Sequence, residues 1–415
     1  MENLLEIQSL AKECLNCKKP MCKKGCPIST NIPEFIQCIK NSEFTQAYKI
    51  LQGNNILSEI CGKICPTEVQ CKGSCIKGIK GKPVSINELE NFVNEWARKN
   101  KIDLDIPKNK KNNSKIAIIG AGPAGIACAV ELVKNGYEVT IFEKEKNIGG
   151  ILEYEIPDFR LPKDTIKYVE EKLKKMGIKL CLKTEFGKDI NLEDLKEYKA
   201  IFLGIGAYIP KKYKLTEEEI TGIYTAKDIL RKYHNKEKIT NLGKAIVIGG
   251  GNVAIDAART IKRIQEEPVT IVYRRTKELM PAIKSEVDEA ISEGINFIYK
   301  SKVISAIYND KKEIEKIKCI KTKVENGQVI DVENSEFEIE ANSVIFAIGL
   351  GIDEELFEKL EIKTEGGLVK VDEDNMTTRK GIFAGGDLVE SKPTVCKAIA
   401  TGKNAAKRNE QIYKK

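Results

Sequence analysis

The chain contains a single histidine, His234, in 415 residues. That leaves almost no room for a histidine general base or for a metal site built on several imidazoles. Long unbroken apolar runs are also missing. The most hydrophobic stretch, IAIIGAGPAGIACAV, is short and interrupted by glycines, well below the roughly 18 residues that a membrane span needs. The opening MENLLEIQSLAKEC carries no basic segment, apolar stretch and small-residue cleavage site in succession, so no secretory leader is expected and the cytoplasm is the expected compartment. No arginine-rich block or nucleic-acid motif occurs; 69 basic and 61 acidic residues are spread along the chain for a net charge of +8. Nucleic acid is therefore not an expected partner.

What is present begins with cysteine. Of 13 cysteines, nine precede residue 76, and only Cys128, Cys181, Cys319 and Cys396 follow. In a reducing compartment such crowding argues for metal or cluster ligation over disulfides. The run CLNCKKPMCKKGCP supplies Cys14, Cys17, Cys22 and Cys26, and CGKICPTEVQCKGSC supplies Cys61, Cys65, Cys71 and Cys75. Eight thiolates with two to five residues between neighbours, and a proline after the last cysteine of the first run, suit two four-iron clusters. Two structural zinc sites are the alternative; zinc usually pairs two CxxC knuckles, and here only Cys14 and Cys17 have that spacing. Between the runs, IPEFIQCIKNSEFTQAYKIL has the apolar spacing of an amphipathic helix with Cys38 inside it, as a core residue rather than a ligand. VSINELENFVNEWARKN is again helical in period, and the lysine-rich stretch 101–113 reads as a linker. The length suits two or three domains, the first a helical domain over residues 1–100.

After the linker comes KIAIIGAGPAGIACAVELVKNGYEVTIFEK, a strand, GxGxxG at Gly120, Gly122 and Gly125, a helix, and a second strand ending at Glu143. This is a dinucleotide-binding unit in full context: the glycines let a pyrophosphate approach the helix N-terminus, and the acid meets a ribose hydroxyl. A second unit, KAIVIGGGNVAIDAARTIKRI, carries Gly249, Gly251 and Ala254, and its next strand VTIVYRRT ends in Arg274 and Arg275. Where the first unit presents a carboxylate, the second presents two guanidinium groups that would pair with a 2′-phosphate, so NADPH is expected over NADH. The bland alternative is that the arginines only solvate a strand end.

Near the C-terminus, TTRKGIFAGGDL places Asp387 at the end of a buried strand beside two glycines. It could accept a hydrogen bond from a flavin ribityl chain, while the following helix, PTVCKAIATGKNAA, would aim its positive end at the isoalloxazine. The near-duplicate runs FLGIGA at 202–207 and FAIGLG at 346–351 look like crossovers into and out of an inserted domain. The expected class is α/β: a helical double-cluster domain followed by two Rossmann-like domains. The FAD domain spans 114–212 and 346–415, with the NADPH domain, 213–345, inserted into it.

Taken in order, the cysteine runs, GAGPAG, GGILEYEIPDFRLPK, IGGGNVAIDAAR, VYRRTKELMPA and IFAGGDL resemble the family of the small subunit of NADPH-dependent glutamate synthase. Its relatives include the NADPH-binding subunit of electron-bifurcating ferredoxin:NADP transhydrogenase and the N-terminal half or small subunit of dihydropyrimidine dehydrogenase. The resemblance covers the whole chain. It implies an interleaved ligand set, one cluster on Cys14, Cys17, Cys22 and Cys75, the other on Cys26, Cys65, Cys71 and a non-cysteine ligand in PVSINELE, Glu90. Cys61 would be structural, and for Glu90 the plain alternative is an exposed charge on a helix face. The resemblance further implies FAD contacts from Pro123, Ala124, Lys144, Gly150, Leu152, Arg160, Gly206, Gly386 and Thr394, and NADPH contacts from Gly250, Asn252 and Val253. Two departures stand out: Glu155 where relatives commonly have glycine, and Cys14 nearer the start than in relatives, as if an extra N-terminal helix were lacking.

No catalytic side chain is expected, because flavin and nicotinamide carry the chemistry. The resemblance implies hydride transfer from NADPH to FAD, then single electrons through two [4Fe-4S] clusters to a large catalytic or ferredoxin-linked partner subunit. A dithiol reductase would share the two nucleotide units, but no CxxC or CxxxxC follows residue 75. A non-catalytic flavin-binding redox sensor is the remaining alternative, and rapid flavin reduction by NADPH would reject it.

Overall fold

The computed structural model describes residues 2–103, 114–240 and 242–412. Residues 104–113 of the expected linker lie outside the described residues. The chain forms two compact units, one of residues 1–153, 159–207 and 352–415, the other of residues 154–158 and 208–351.

The first unit begins with helices α1 (Glu2–Lys12), α2 (Met21–Gly25), α3 (Ile32–Lys40), α4 (Phe44–Asn54), α5 (Ser58–Ile64) and α6 (Ile86–Lys99). The segment ahead of Cys14 is thus itself helical. The single helix expected over residues 32–51 is two. Ser42 adopts φ 63°, in the left-handed region that ends a helix, and Glu43 N–H bonds back to the Cys38 carbonyl at 2.8 Å. Apolar spacing carries through such a break because both helices face one core. Cys38 sits in that core with Ile32, Phe35, Ile36 and Leu51. A buried polar knot fastens the helices: Gln52 Nε2 donates to Ser58 Oγ at 2.9 Å and to Asn94 Oδ1 at 3.0 Å. Satisfied buried polar groups of this kind fix one arrangement of helices where apolar contact alone would allow several.

The same unit continues as β1 (Lys115–Ile119), α7 (Pro123–Lys134), β2 (Glu138–Glu143), α8 (Ile151–Tyr154), α9 (Lys163–Lys175), β3 (Lys179–Leu182) and β4 (Ala200–Leu203). The helical part is joined to it directly, as Lys172 of α9 donates to Gln52 Oε1 of α4 at 2.7 Å and to Tyr48 Oη at 3.0 Å.

The second unit holds β5 (Ile209–Pro210), β6 (Ile223–Thr225), α10 (Ala226–His234), β7 (Ala245–Ile248), α11 (Asn252–Ile264), β8 (Val269–Tyr273), α12 (Lys284–Ser292), β9 (Asn296–Tyr299), β10 (Ser301–Tyr308), β11 (Ile314–Glu325), β12 (Gln328–Glu340), β13 (Ser343–Phe346) and β14 (Leu350–Gly351). Its parallel sheet runs β6-β13-β7-β8-β9, beside an antiparallel β10-β11-β12 sheet. The crossover runs hold a short antiparallel pair, β14 on β5.

Back in the first unit come α13 (Glu354–Lys359), β15 (Thr364–Glu365), β16 (Leu368–Val369), β17 (Ile382–Ala384) and α14 (Val395–Ile412). Strand β17 completes a five-stranded parallel sheet of order β17-β4-β1-β2-β3. Strand order reverses at β1 here and at β7 in the second unit, and ligands of open α/β sheets bind at the carboxyl end of such a strand. Among the described residues no helix is long and apolar enough to cross a membrane.

Candidate functional site

Both glycine turns are built for close approach. Gly120 sits at φ +99°, and a Cβ there would lie 2.6 Å from the Gly204 carbonyl oxygen; a Cβ on Gly125 would lie 2.0 Å from the Gly120 carbonyl oxygen. Only glycine fits either position. Gly122 caps α7 with no side-chain hydrogen bond, and Pro123 follows at N1, so the first-turn N–H groups, Ala124 among them, are left for an anion. Gly150, at φ +57°, stands with its missing Cβ 3.5 Å from Gly122 Cα, bringing a second backbone to the same turn.

Glu143 ends β2 as expected, but its carboxylate does more than await a ribose. Oε2 accepts from Ala121 N–H at 2.7 Å and Oε1 from Glu145 N–H at 3.0 Å, so it also braces the phosphate turn. Burial raises its pKa, and those two amides oppose the rise. Lys144 beside it is exposed, while Leu152 is buried; Arg160 is half-buried. Gly206, at φ +73°, has open space where a Cβ would point.

Asp387 does not end strand β17 but lies in the short 3₁₀ turn Gly386–Leu388 after it. The turn forms because Gly386 adopts φ +68° and its N–H is taken by Thr401 Oγ1 at 2.8 Å. Burial pushes the Asp387 carboxyl up to about 6. Thr394 caps α14, its hydroxyl accepting from Lys397 N–H at 3.3 Å. The same hydroxyl accepts from Gln70 Nε2 at 3.3 Å, which joins the C-terminal helix to the cysteine region.

In the second unit Gly249 is at φ +152°, with the Ala347 carbonyl oxygen 2.4 Å from where a Cβ would lie, and Gly250 backs onto the Tyr273 ring. Gly251 faces open space and caps α11 without a side-chain bond. Asn252 Oδ1 accepts from Ile283 N–H at 2.9 Å, fastening the turn to α12, and Val253 is exposed. Arg274 and Arg275 follow β8, the first exposed and the second half-buried. Neither guanidinium pairs with a carboxylate among the described residues. Glu155, the departure from glycine, stands 3.8 Å from Arg231.

Cys14, Cys17, Cys22 and Cys75 line one cavity together with Leu15, Met21 and Ile76. No three of these sulfurs lie within 4.8 Å of one another. A single zinc ion, bound at about 2.3 Å by each of four sulfurs, would need them closer than that; a cubane, which has its own bulk, needs them spread. Burial is the main cause pushing the Cys22 thiol up to about 11.

The other donors stand at the ends of α2 and α5, in the turn after α5, on α6 and at the start of α14. Burial and then Cys26 push the Glu90 carboxyl up to about 8, and burial followed by Glu90 and Cys26 pushes Cys71 up to about 12. Glu90 is therefore not the exposed helix-face charge that its residue type would suggest. One participant was not expected from the sequence. Cys396, on α14, places its sulfur 4.0 Å from that of Cys26, and its sulfur and those of Cys61 and Cys65 lie within 4.8 Å of one another. The sulfur–sulfur hydrogen bond with Cys396 is the main cause lowering the Cys26 thiol to about 5. No spacing rule could link residues so far apart in the chain.

A family model described as pyridine nucleotide-disulphide oxidoreductase matches residues 114–402, and one described as dihydropyrimidine dehydrogenase domain II, 4Fe-4S cluster, matches residues 3–102. The chain belongs to the pyridine nucleotide-disulphide oxidoreductase family. It is 32% identical to the glutamate synthase [NADPH] small chain of Escherichia coli K12, over 97% of this chain and 90% of that one. It is also 32% identical to the NAD-dependent dihydropyrimidine dehydrogenase subunit PreT of Escherichia coli O157:H7, over 97% and 93%. Among solved structures, Mycobacterium tuberculosis FprA in complex with NADPH aligns with a TM-score of 0.61 at 17% identity, over 72% of this chain and 86% of that one; that likeness concerns the fold.

Membership makes this chain an NAD(P)H-dependent FAD and iron–sulfur oxidoreductase. The four cysteines after residue 75 include no CxxC or CxxxxC pair.

Proposed function

We propose that this chain is an NADPH-oxidising electron-transfer subunit of the glutamate synthase small-chain type, delivering electrons through two four-iron clusters to a larger partner subunit. The observation that carries the reading is the gathering of two separate donor sets, one cavity of four thiols and one group of thiols with Glu90, in the same compact unit as the flavin turn. When bound, FAD accepts a hydride from the nicotinamide, and the clusters accept electrons singly.

The chain's own groups have matching tasks. Gly120, Gly122 and Gly125 would admit the FAD pyrophosphate to α7, Glu143 holds that turn and would meet the ribose, and Asp387 and Thr394 would help hold the flavin from the C-terminal segment. Gly249 and Gly251 do for the NADPH pyrophosphate what the first turn does for FAD, and Arg274 and Arg275 pair with the 2′-phosphate. The arginines favour the NADPH-linked relatives over the NAD-linked ones. Leu15, Met21 and Ile76 are exposed around the four-thiol cavity, at 63%, 43% and 40%. An apolar rim around that cavity suits an electron exit covered by the partner.

Protein prepared without air should contain about eight iron atoms and eight acid-labile sulfides per chain, as two four-iron clusters require. Zinc in their place would overturn the proposal. Within it, Glu90→Ala should change the electron paramagnetic resonance signal or potential of one cluster and leave the other nearly untouched, because a carboxylate oxygen is a harder and less electron-donating ligand than a thiolate, and ligand identity tunes a cluster's potential. Identical spectra would leave Glu90 a half-buried carboxyl and no ligand.

A further inference from the structure

Cys396 is 3% exposed and occupies the first turn of α14, two residues after Thr394. It is thus the point at which the flavin-side segment touches the donors of the second cluster. Its sulfur lies against Cys26 on one side and in the Cys61–Cys65 group on the other. Its neighbours make clear what is left for it to do. Cys61 receives a hydrogen bond from Asn55 Nδ2 at 3.3 Å, which leaves the Cys61 thiol hydrogen free to turn elsewhere. Thr30 Oγ1 already stands 3.4 Å from Cys26. Three cysteines and Glu90 fill a four-iron ligand set, so a further thiol beside them serves as a hydrogen-bond donor.

We propose that Cys396 is a positioning residue for the cluster held by Cys26, Cys65, Cys71 and Glu90, donating its S–H to a ligand sulfur and thereby raising that cluster's reduction potential. The inference rests on the two-cluster reading above. Its physical basis is charge. Accepting an electron adds negative charge to the cluster and its thiolates, a donor aimed at those sulfurs stabilises the reduced form, and hydrogen bonds to the sulfurs are among the determinants of cluster potential. The placement also has a consequence for electron flow. The donor belongs to the helix that Thr394 caps, so the cluster nearest that helix is made easier to reduce than it would be without the donor.

The test is a redox titration of the full-length protein under anaerobic conditions, followed by electron paramagnetic resonance, with iron and sulfide assayed on the same samples. Cys396→Ala should keep about eight irons while one midpoint falls by about 59 mV, a tenfold change for a one-electron couple, and the other stays in place. Cys396→Ser, whose hydroxyl still donates, should bring the midpoint most of the way back. Unchanged midpoints in the alanine variant would overturn the proposal, and so would equal shifts in the alanine and serine variants. Loss of about four irons from the alanine variant would overturn it too, by making Cys396 a ligand. Wild-type protein without iron would instead sink the cluster reading, so the two failures are distinguishable.

Discussion

Replacing Arg274 and Arg275 together by neutral residues should lower the preference for NADPH over NADH, measured as the ratio of the two kcat/KM values, by at least about a hundredfold. Each charge-assisted hydrogen bond to a 2′-phosphate contributes roughly 1.5 to 3 kcal/mol, and a hundredfold corresponds to roughly 2.7 kcal/mol. The structure makes these side chains free to act. They follow the strand next to the glycine turn, and neither is engaged by a carboxylate among the described residues, so no competing ion pair must be broken when the phosphate arrives. NADH carries no such phosphate, and its turnover should stay within a few-fold of wild type. Steady-state assays with an artificial electron acceptor measure both constants without the natural partner. A wild type that already prefers NADH, or a double variant that keeps its NADPH preference, would show that the arginines only solvate a strand end.

The second large effect is expected at Cys75. This residue closes the four-thiol cavity from the far cysteine run, so Cys75→Ala should reduce the iron content from about eight to about four per chain and abolish one of the two cluster signals. Cys14→Ala should erase the same signal, although Cys14 belongs to the other run. Flavin reduction by NADPH, followed by bleaching in stopped flow, should remain within a few-fold, because the flavin turn shares no residue with that cavity. The control is Cys38→Ala. Cys38 lies in the apolar core and not in the cavity, so this variant should keep all its iron and lose only stability, on the order of 1 kcal/mol for a small buried side chain. If Cys75→Ala and Cys14→Ala extinguished different signals, the interleaved ligand set would be wrong.

The nucleotide turns were legible in the sequence because their chemistry is local. Gly120 and Gly249 hold a positive φ and Gly125 closes on the Gly120 carbonyl within the same turn, and a spacing motif records such requirements directly; that the Gly204 and Ala347 carbonyls also press on Gly120 and Gly249 is a matter of tertiary structure. Arg274 and Arg275 were legible for the same reason, as the end of the strand that follows a recognised turn. The break at Ser42 was not, since two consecutive helices facing one core keep the same apolar period through the turn between them. Asp387 was placed a few residues off, because the turn at Gly386 depends on a hydroxyl from Thr401 in the next helix.

The cysteine region marks the boundary between the two kinds of information. Composition and spacing alone establish that the first 75 residues hold two sets of soft donors and that two dinucleotide units follow. Which thiols share a site is decided by how α3, α5 and α6 pack, because ligands of one centre converge in space and not along the chain. That packing puts Cys75 with the first run and sets half-buried Glu90 beside Cys26 and Cys71. Only the tertiary structure could enlist Cys396, since it is carried to the second site by the closing helix of a sheet whose last strand comes near the end of the chain.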